Sequence, residues 1–537
     1  MTVRVTTLKG PDAGVYYVEA LPSYYLDGDE PRGTWHGDGA ERLGLVGKVD
    51  DDAFLALMAG LDPESGEPLG RNYGETSVRG FDVTASAPKS VSVLFAVGDG
   101  ATRQAVLDAH DAAVTTMVDW IEAHAHTRYR INGEVAIVDA EGIAAACFRQ
   151  HTSRALDPQL HTHVVIPNRV ASDDGRWLSL DARTIKFDQR TLSALYHASL
   201  RAELTRSLGV AWQKPVNSIA EMRDVGDDVR QEFSSRTKAV EDRIEDKLEH
   251  FAESFERNPT PRERWRLERE AVTDCRPSKS HGEDAQSLHA EWAERAIAIG
   301  HTPEHVVAAA VSPTRADRAL DDVDVEVLVA QALDALTESQ STWRPAEVVR
   351  ELAAAVPTDV TVASGDLMPW LDHLADEVVA ERLVDISRPI PDGVALRRDG
   401  RPVTESVADR ALTTSEILAQ EERLIAWAER RLDAGGSGVA IGGTAAEVLT
   451  KPQLEVASEL AGTKGLVLVV GPAGTGKTSA VAPAVEELRA TGQAVFGVAP
   501  SAAAAEVLAV DAGLSSDTVD KLLVEHRLDR PPDHRYD

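Results

Sequence analysis

The stretch Gln159-Leu-His-Thr-His-Val-Val165 constrains this chain more than any other, because two imidazoles stand two residues apart at the head of an apolar, β-branched run. Such a run predicts a strand, and on a strand residues i and i+2 face one side, so His161 and His163 can hold one metal ion between them. Taken alone, a His-x-His pair on a strand is more often a surface or satisfied core pair. Context changes that reading. Tyr16-Tyr17 and Tyr24-Tyr25 hold four of the eight tyrosines in the chain. Tyrosine is a weak nucleophile at its ordinary pKa near ~10, and attack needs a base or a metal-polarised electrophile. The His pair and the tyrosines together suggest a nuclease that forms a covalent phosphotyrosine.

Three further motifs accompany them: Trp35 followed by Gly37-Asp-Gly-Ala and Leu43-Gly-Leu, the block Gly80-Phe-Asp-Val-Thr-Ala-Ser-Ala-Pro-Lys-Ser-Val-Ser-Val-Leu94, and Thr152-Ser-Arg-Ala-Leu-Asp-Pro-Gln-Leu-His-Thr-His163. With the tyrosine pairs they run in order over the first 215 residues. In these motifs the N-terminal region resembles the conjugative relaxases of the TrwC/TraI type, within the histidine-hydrophobe-histidine (HUH) endonucleases.

The resemblance implies a protein that cuts one strand at a transfer origin, keeps the 5′ end on tyrosine and later rejoins it. It implies that Tyr16 attacks the scissile phosphate and that Tyr24 serves the second transesterification, with Tyr17 and Tyr25 left to packing or base stacking. Asp82 matches a carboxylate that orients a ligand His or accepts the tyrosine proton. Lys89 and Arg154 are candidates for phosphate contact, with solvated surface charge as the plain alternative. The expected partners are single-stranded DNA at a transfer origin, other relaxosome proteins and the coupling protein of a type IV secretion system.

One position departs from the pattern. The family's third His falls at Gln150, and His151 stands next to it. Neighbours on a strand point to opposite faces, so both cannot serve without a bulge. Either Gln150 ligates through its amide oxygen, which suits a hard ion such as Mg²⁺ or Mn²⁺, or a local shift brings His151 in, or the site is weakened or lost. A second pair, His124-Ala-His126, follows a helix-like stretch and is read as a decoy without strand context.

Charge adds a constraint. The chain carries a net −32, which argues against bulk attraction to phosphate. Residues 1–215 hold 21 Lys/Arg against 29 Asp/Glu, a net −8, so the excess acid lies downstream. DNA affinity is then expected to depend on specific contacts and stacking. The two cysteines, Cys147 and Cys275, exclude a disulfide scaffold and fit a reducing cytoplasm. No apolar run reaches membrane-spanning length, so no membrane insertion is expected.

The expected fold class is α/β (α+β): a nuclease palm with a central antiparallel sheet flanked by helices, then helical segments, a small helical or winged domain and an incomplete P-loop RecA-like domain. Strand-like runs occur at 90–96, 134–138, 144–148 and 161–166, with helices over 101–124 and 192–208. The expected divisions are 1–225 for the nuclease core, 226–312 for a charged helical extension, 313–412 for the small domain and 413–537 for the P-loop part. Within the last, an expected strand over 465–470 leads into Gly471-Pro-Ala-Gly-Thr-Gly-Lys-Thr478, a full match to the phosphate-binding loop. Gly471, Gly474, Thr475 and Gly476 would cradle phosphates by their amides, Lys477 would reach the β/γ oxygens, and Thr478 would hold Mg²⁺ beside a bound ATP. Gln453 resembles the Q motif of superfamily 1 helicases. No acidic Walker B strand follows, so this part is expected to be a truncated motor. Two alternatives stay open: a catalytically inactive remnant that only binds DNA, and a rolling-circle replication initiator or transposase of the same nuclease class.

Overall fold

A computed structural model describes residues 3–20, 33–131, 133–275, 285–312, 318–443, 445–472 and 474–527. The chain divides into two compact units, residues 1–414 and 415–537.

The first unit is organised by a five-stranded sheet. Its strands are β1 (Val3–Lys9), β2 (Thr34–His36), β3 (Val78–Ser86), β6 (Ala145–Thr152) and β7 (Pro158–Pro167), while β4 (His126–Ile131) and β5 (Glu134–Asp139) form a separate hairpin. The sheet order is β1-β3-β7-β6-β2, with every neighbouring pair antiparallel. Alternation along these strands divides their side chains between two faces. On one face Ala146, Phe148 and Val165 join Tyr17, Trp35, Phe54, Leu57 and Met58 in an apolar cluster. The same face becomes polar toward Ser86, His161 and Gln150, which stand in one cross-strand row.

The opposite face is covered by helices α1 (Lys89–Val97), α2 (Gly100–Ala123) and α3 (Gln189–Leu208). His110 of α2 bridges the layers, its Nδ1 2.8 Å from the Tyr196 hydroxyl and its Nε2 2.8 Å from Thr162 Oγ1 on β7. Helix α1 corrects the strand expected over 90–96. All eight residues from Ser90 to Val97 are buried, and a run that is apolar on every side carries no period to separate strand from helix. Tertiary contacts settle it: the Glu221 carboxylate accepts the backbone N–H groups of Lys89 (3.3 Å) and Ser90 (2.8 Å), capping a helix whose N-cap, Pro88, offers no side-chain acceptor.

The charged stretch after 226 is helical as its pattern predicts, with helix α4 (Ser235–Phe255), a helix over Pro261–Asp274 opened by a Thr260/Glu263 capping box, and helix α5 (Ala285–Ala298). The helices Val325–Ser339, Pro345–Ala355 and Ser364–Glu381 belong to the same compact unit. They are tied to α3 and the residue before it: Arg344 pairs with buried Asp188 at 2.6 Å, and Glu203 accepts the Ser364 N–H at 2.7 Å.

In the second unit, the helices Lys451–Leu460 and Lys477–Ala490 flank the phosphate-loop motif, and Phe496–Ala499 pairs in parallel with Ser515–Thr518. The strand expected over 465–470 does not form. Its residues have no ladder partner among the described residues, and Leu468 and Val470 are exposed. Apolar, β-branched composition favours extension, but a strand exists only where a neighbour accepts its hydrogen bonds.

Candidate active site

His161 and His163 lie on β7 and face one side, their ring centroids 5.3 Å apart. Each ring is oriented through Nδ1. His161 Nδ1 donates to the Gln159 carbonyl at 2.8 Å, and His163 Nδ1 donates to Asp82 Oδ2 at 2.8 Å. A carbonyl and a carboxylate oxygen both accept, so in its neutral form either ring would carry its hydrogen on Nδ1 and leave the Nε2 lone pair for an external group. Burial, and after it the neighbouring His163, pushes the His161 pKa down to about 4, which keeps that ring neutral at pH 7.

Gln150 stands directly opposite His161 in the β6–β7 ladder and lines the same cavity. It is 4% exposed, and its Nε2 has no hydrogen-bond partner among the described residues. A half-turn of the amide would present oxygen instead of nitrogen and would sacrifice no bond of that nitrogen. His151 follows at the irregularity in the ladder and lies outside the lining of this cavity. Its ring packs on Phe95 of α1 at 4.8 Å, and burial followed by the Arg149 charge lowers its pKa to about 3. Among the described residues no group of three or more His, Cys, Asp or Glu could hold a metal, and the side chain placed directly beside the His161 imidazole across the ladder is the uncharged amide of Gln150. Two imidazole nitrogens and an amide oxygen are a donor set that fits a divalent ion.

The two described tyrosines diverge. Both belong to the π-helical turn Tyr16–Ala20, where successive side chains point in different directions. Tyr16 lines the cavity with the His pair. Tyr17 is buried, stacks on Phe148 with centroids 5.7 Å apart, and donates its hydroxyl to Asp82 Oδ2 at 2.8 Å. Tyr24 and Tyr25 lie outside the described residues.

The cavity measures about 800 Å³. Its charged lining consists of Arg4, Lys89, Arg154 and Arg236 against Asp157, so a chain of strongly negative net charge turns a locally positive face to the His pair. Lys89 is held by the Pro158 carbonyl at 2.9 Å, and burial lowers its pKa. Asp157 accepts Ser235 N–H (2.8 Å), Ser235 Oγ (2.9 Å) and Arg295 Nη2 (3.0 Å), tying α4 and α5 to the edge of the cavity. Sequence reasoning missed Arg4, Arg236 and Asp157. Arg4 carried a usable signal: it alternates with Val3 and Val5 on β1 and pairs with Thr84, in the row that contains His163.

The pair His124-Ala-His126 lies elsewhere. His124 caps α2 and stacks on Trp120 at 3.9 Å, whereas His126 opens β4, correcting the expectation of no strand context, and sits 3.5 Å from Asp139. In the second unit, Lys477 Nζ donates to the carbonyls of Gly471 (2.7 Å) and Pro472 (2.8 Å), and Gln453 Nε2 donates to the Thr475 carbonyl at 3.1 Å. Gly474 and Gly476 take positive φ, 79° and 74°. Thr478 lies in the first turn of the helix Lys477–Ala490.

A central antiparallel sheet presenting a His-x-His pair, a carboxylate behind it and a tyrosine before it defines the HUH class of nucleases. Residues 11–299, more than half the chain, match the TrwC relaxase family model, and residues 448–536 match an AAA domain model. The chain belongs to the TrwC relaxase family. It is 28% identical over 426 residues to the multifunctional conjugation protein TraI of Escherichia coli, and 27% identical to that of strain K12, covering 76% of this chain and 22% of either relative. It therefore spans about a fifth of the length of these relatives. Similar solved structures include the conjugative relaxase TrwC in complex with oriT DNA in a metal-bound form (30% identity, TM-score 0.47) and a metal-free form (30%, TM-score 0.46), each covering 56% of this chain and 99% of the other. No described helix is long and apolar enough to cross a membrane.

Proposed function

We propose that this chain nicks and rejoins one strand of DNA at a transfer origin through a 5′-phosphotyrosine intermediate, and so initiates conjugative transfer. The observation that carries the reading is the convergence of Tyr16, His161, His163 and Gln150 on one cavity with four cationic side chains. Tyr16 is the nucleophile. Its Oη forms the bond to phosphorus while the bond from phosphorus to the 3′-oxygen breaks. The phenol gives up a proton and the departing 3′-oxygen gains one, so the step conserves a phosphodiester and needs no ATP. Tyr24 serves the second transesterification.

His161, His163 and Gln150 would hold a divalent ion, Mg²⁺ or Mn²⁺, which would supply charge neutralisation at the scissile phosphate. Asp82 orients His163, and Lys89 and Arg154, with Arg4 and Arg236, position the phosphates on either side of the scissile one. The chain acts in the cytoplasm with other relaxosome proteins and a type IV coupling protein. We divide it into a nuclease core over 1–225, a helical extension over 226–312 that closes on DNA, a small domain over 313–412, and a phosphate-loop part over 413–537 that binds ATP with Mg²⁺.

The test is covalent trapping: the full chain, Mn²⁺ and single-stranded origin DNA, resolved on a denaturing gel. An adduct that disappears with chelator and in Tyr16→Phe supports the reading. Binding of origin DNA with no adduct under any divalent metal overturns it in favour of an inactive DNA-binding remnant, and a preference for replication-origin DNA points instead to an initiator.

A further inference from the structure

We propose that Tyr17 is a positioning residue for the metal-binding imidazole of His163, acting through Asp82. The inference rests on the proposed metal role of the His pair and assigns to the second tyrosine a task distinct from both attack and base stacking. Asp82 is 6% exposed, and three donors converge on its carboxylate. Tyr17 Oη and His163 Nδ1 both reach Oδ2 at 2.8 Å, and Thr84 Oγ1 reaches Oδ1 at 3.1 Å. The tyrosine therefore grips the same oxygen that fixes the imidazole.

Tyr17 is itself immobile. Its ring stacks on Phe148 and meets Phe54 edge-on at 6.2 Å, within the apolar cluster under the sheet. A carboxylate held by a residue anchored in the core cannot swing about its side-chain torsion, so the plane of the His163 ring and the direction of its Nε2 lone pair are set from behind. Groups that fix a ligand imidazole in this way commonly change metal affinity by about 10–100-fold when removed. Helical geometry completes the division of labour: the turn that turns Tyr16 to the cavity turns Tyr17 to Asp82, and a doubled tyrosine supplies both.

The experiment is a Mn²⁺ titration of the full chain without DNA, followed by calorimetry, on the parent, Tyr17→Phe, Asp82→Asn and the double variant. Tyr17→Phe keeps the stacked ring and loses only the hydroxyl. The expected result is Mn²⁺ affinity about tenfold weaker in Tyr17→Phe. In the Asp82→Asn background the same change should then add less than about twofold, because the route through Asp82 is already cut. A purely structural role would shift the melting temperature and leave both affinity results unmoved. Parent-like affinity in Tyr17→Phe, or losses that multiply in the double variant, overturns the proposal while leaving the metal reading intact. A parent that binds no Mn²⁺ overturns both. Tyr17→Leu, a second side chain without a hydroxyl, replaces the phenylalanine variant should that one not fold, with the same outcomes deciding.

Discussion

Gln150 faces His161 directly across the β6–β7 ladder, at the position where the family pattern has a third histidine. An amide oxygen is a harder and weaker donor than an imidazole nitrogen. Gln150→His is therefore expected to tighten binding of Zn²⁺ more than that of Mn²⁺, with a gain for Zn²⁺ of about tenfold, or ~1.4 kcal/mol. Competitive titration of the two ions against a chelating dye measures it. Equal affinities in parent and variant would show that position 150 does not ligate.

The buried imidazoles give the first unit an acid limit. His110, enclosed by Tyr196 and Thr162, has its pKa well below the ordinary value through burial, with the Arg149 charge next. His197 is lowered to about 3 by burial and then by Arg201. Both pKa values are depressed in the folded state, so this stability is present above the unfolded pKa of ~6.5 and is lost as pH falls toward the folded values, by roughly 1.4 kcal/mol per pH unit for each group. Urea unfolding at pH 7.5, 6 and 5 should show a falling midpoint. A midpoint flat across that range would contradict the assignment.

Arg295 is the partner on which the buried carboxylate of Asp157 depends, together with Ser235. Arg295→Ala should cost about 2–3 kcal/mol, since it leaves a buried charge short of a charge-assisted bond. The loss should be local, visible as faster proteolysis between residues 235 and 275. Unchanged protease resistance would mean that α4 is held by other contacts.

Gly476 tests the phosphate loop. A Cβ there would lie 2.3 Å from Gln453 Nε2, and the residue's φ of 74° is one that side chains with a Cβ rarely adopt. Gly476→Ala is expected to displace Gln453 from the Thr475 carbonyl and to weaken binding of a fluorescent ATP analogue by about tenfold or more, ~1.4 kcal/mol. Parent-like binding would show that the loop tolerates another conformation.

Local features were legible wherever the signal was local. The alternation around His161 and His163 predicts a strand with both rings on one face, and β7 shows it. The charged stretch after 226 is likewise helical, as its own pattern predicts. The run 90–96 was not legible, because burial on all sides erases its period, and the deciding carboxylate, Glu221, lies 131 residues from Ser90.

The sequence by itself determined which side chains could do chemistry here and which of them shared a strand face, because the two-residue period of a strand is a property of the backbone. Only the tertiary structure decided the rest of the site. It selected Gln150 over His151 to line the cavity, through the β6–β7 register. It sent Tyr17 to Asp82, across 65 residues of chain, and brought Arg4 and Arg236 to a positive cavity inside a negative protein. Those outcomes depend on which strands pair and which apolar side chains fill the sheet's other end, and burial of that cluster is a property of the whole chain that no local window contains.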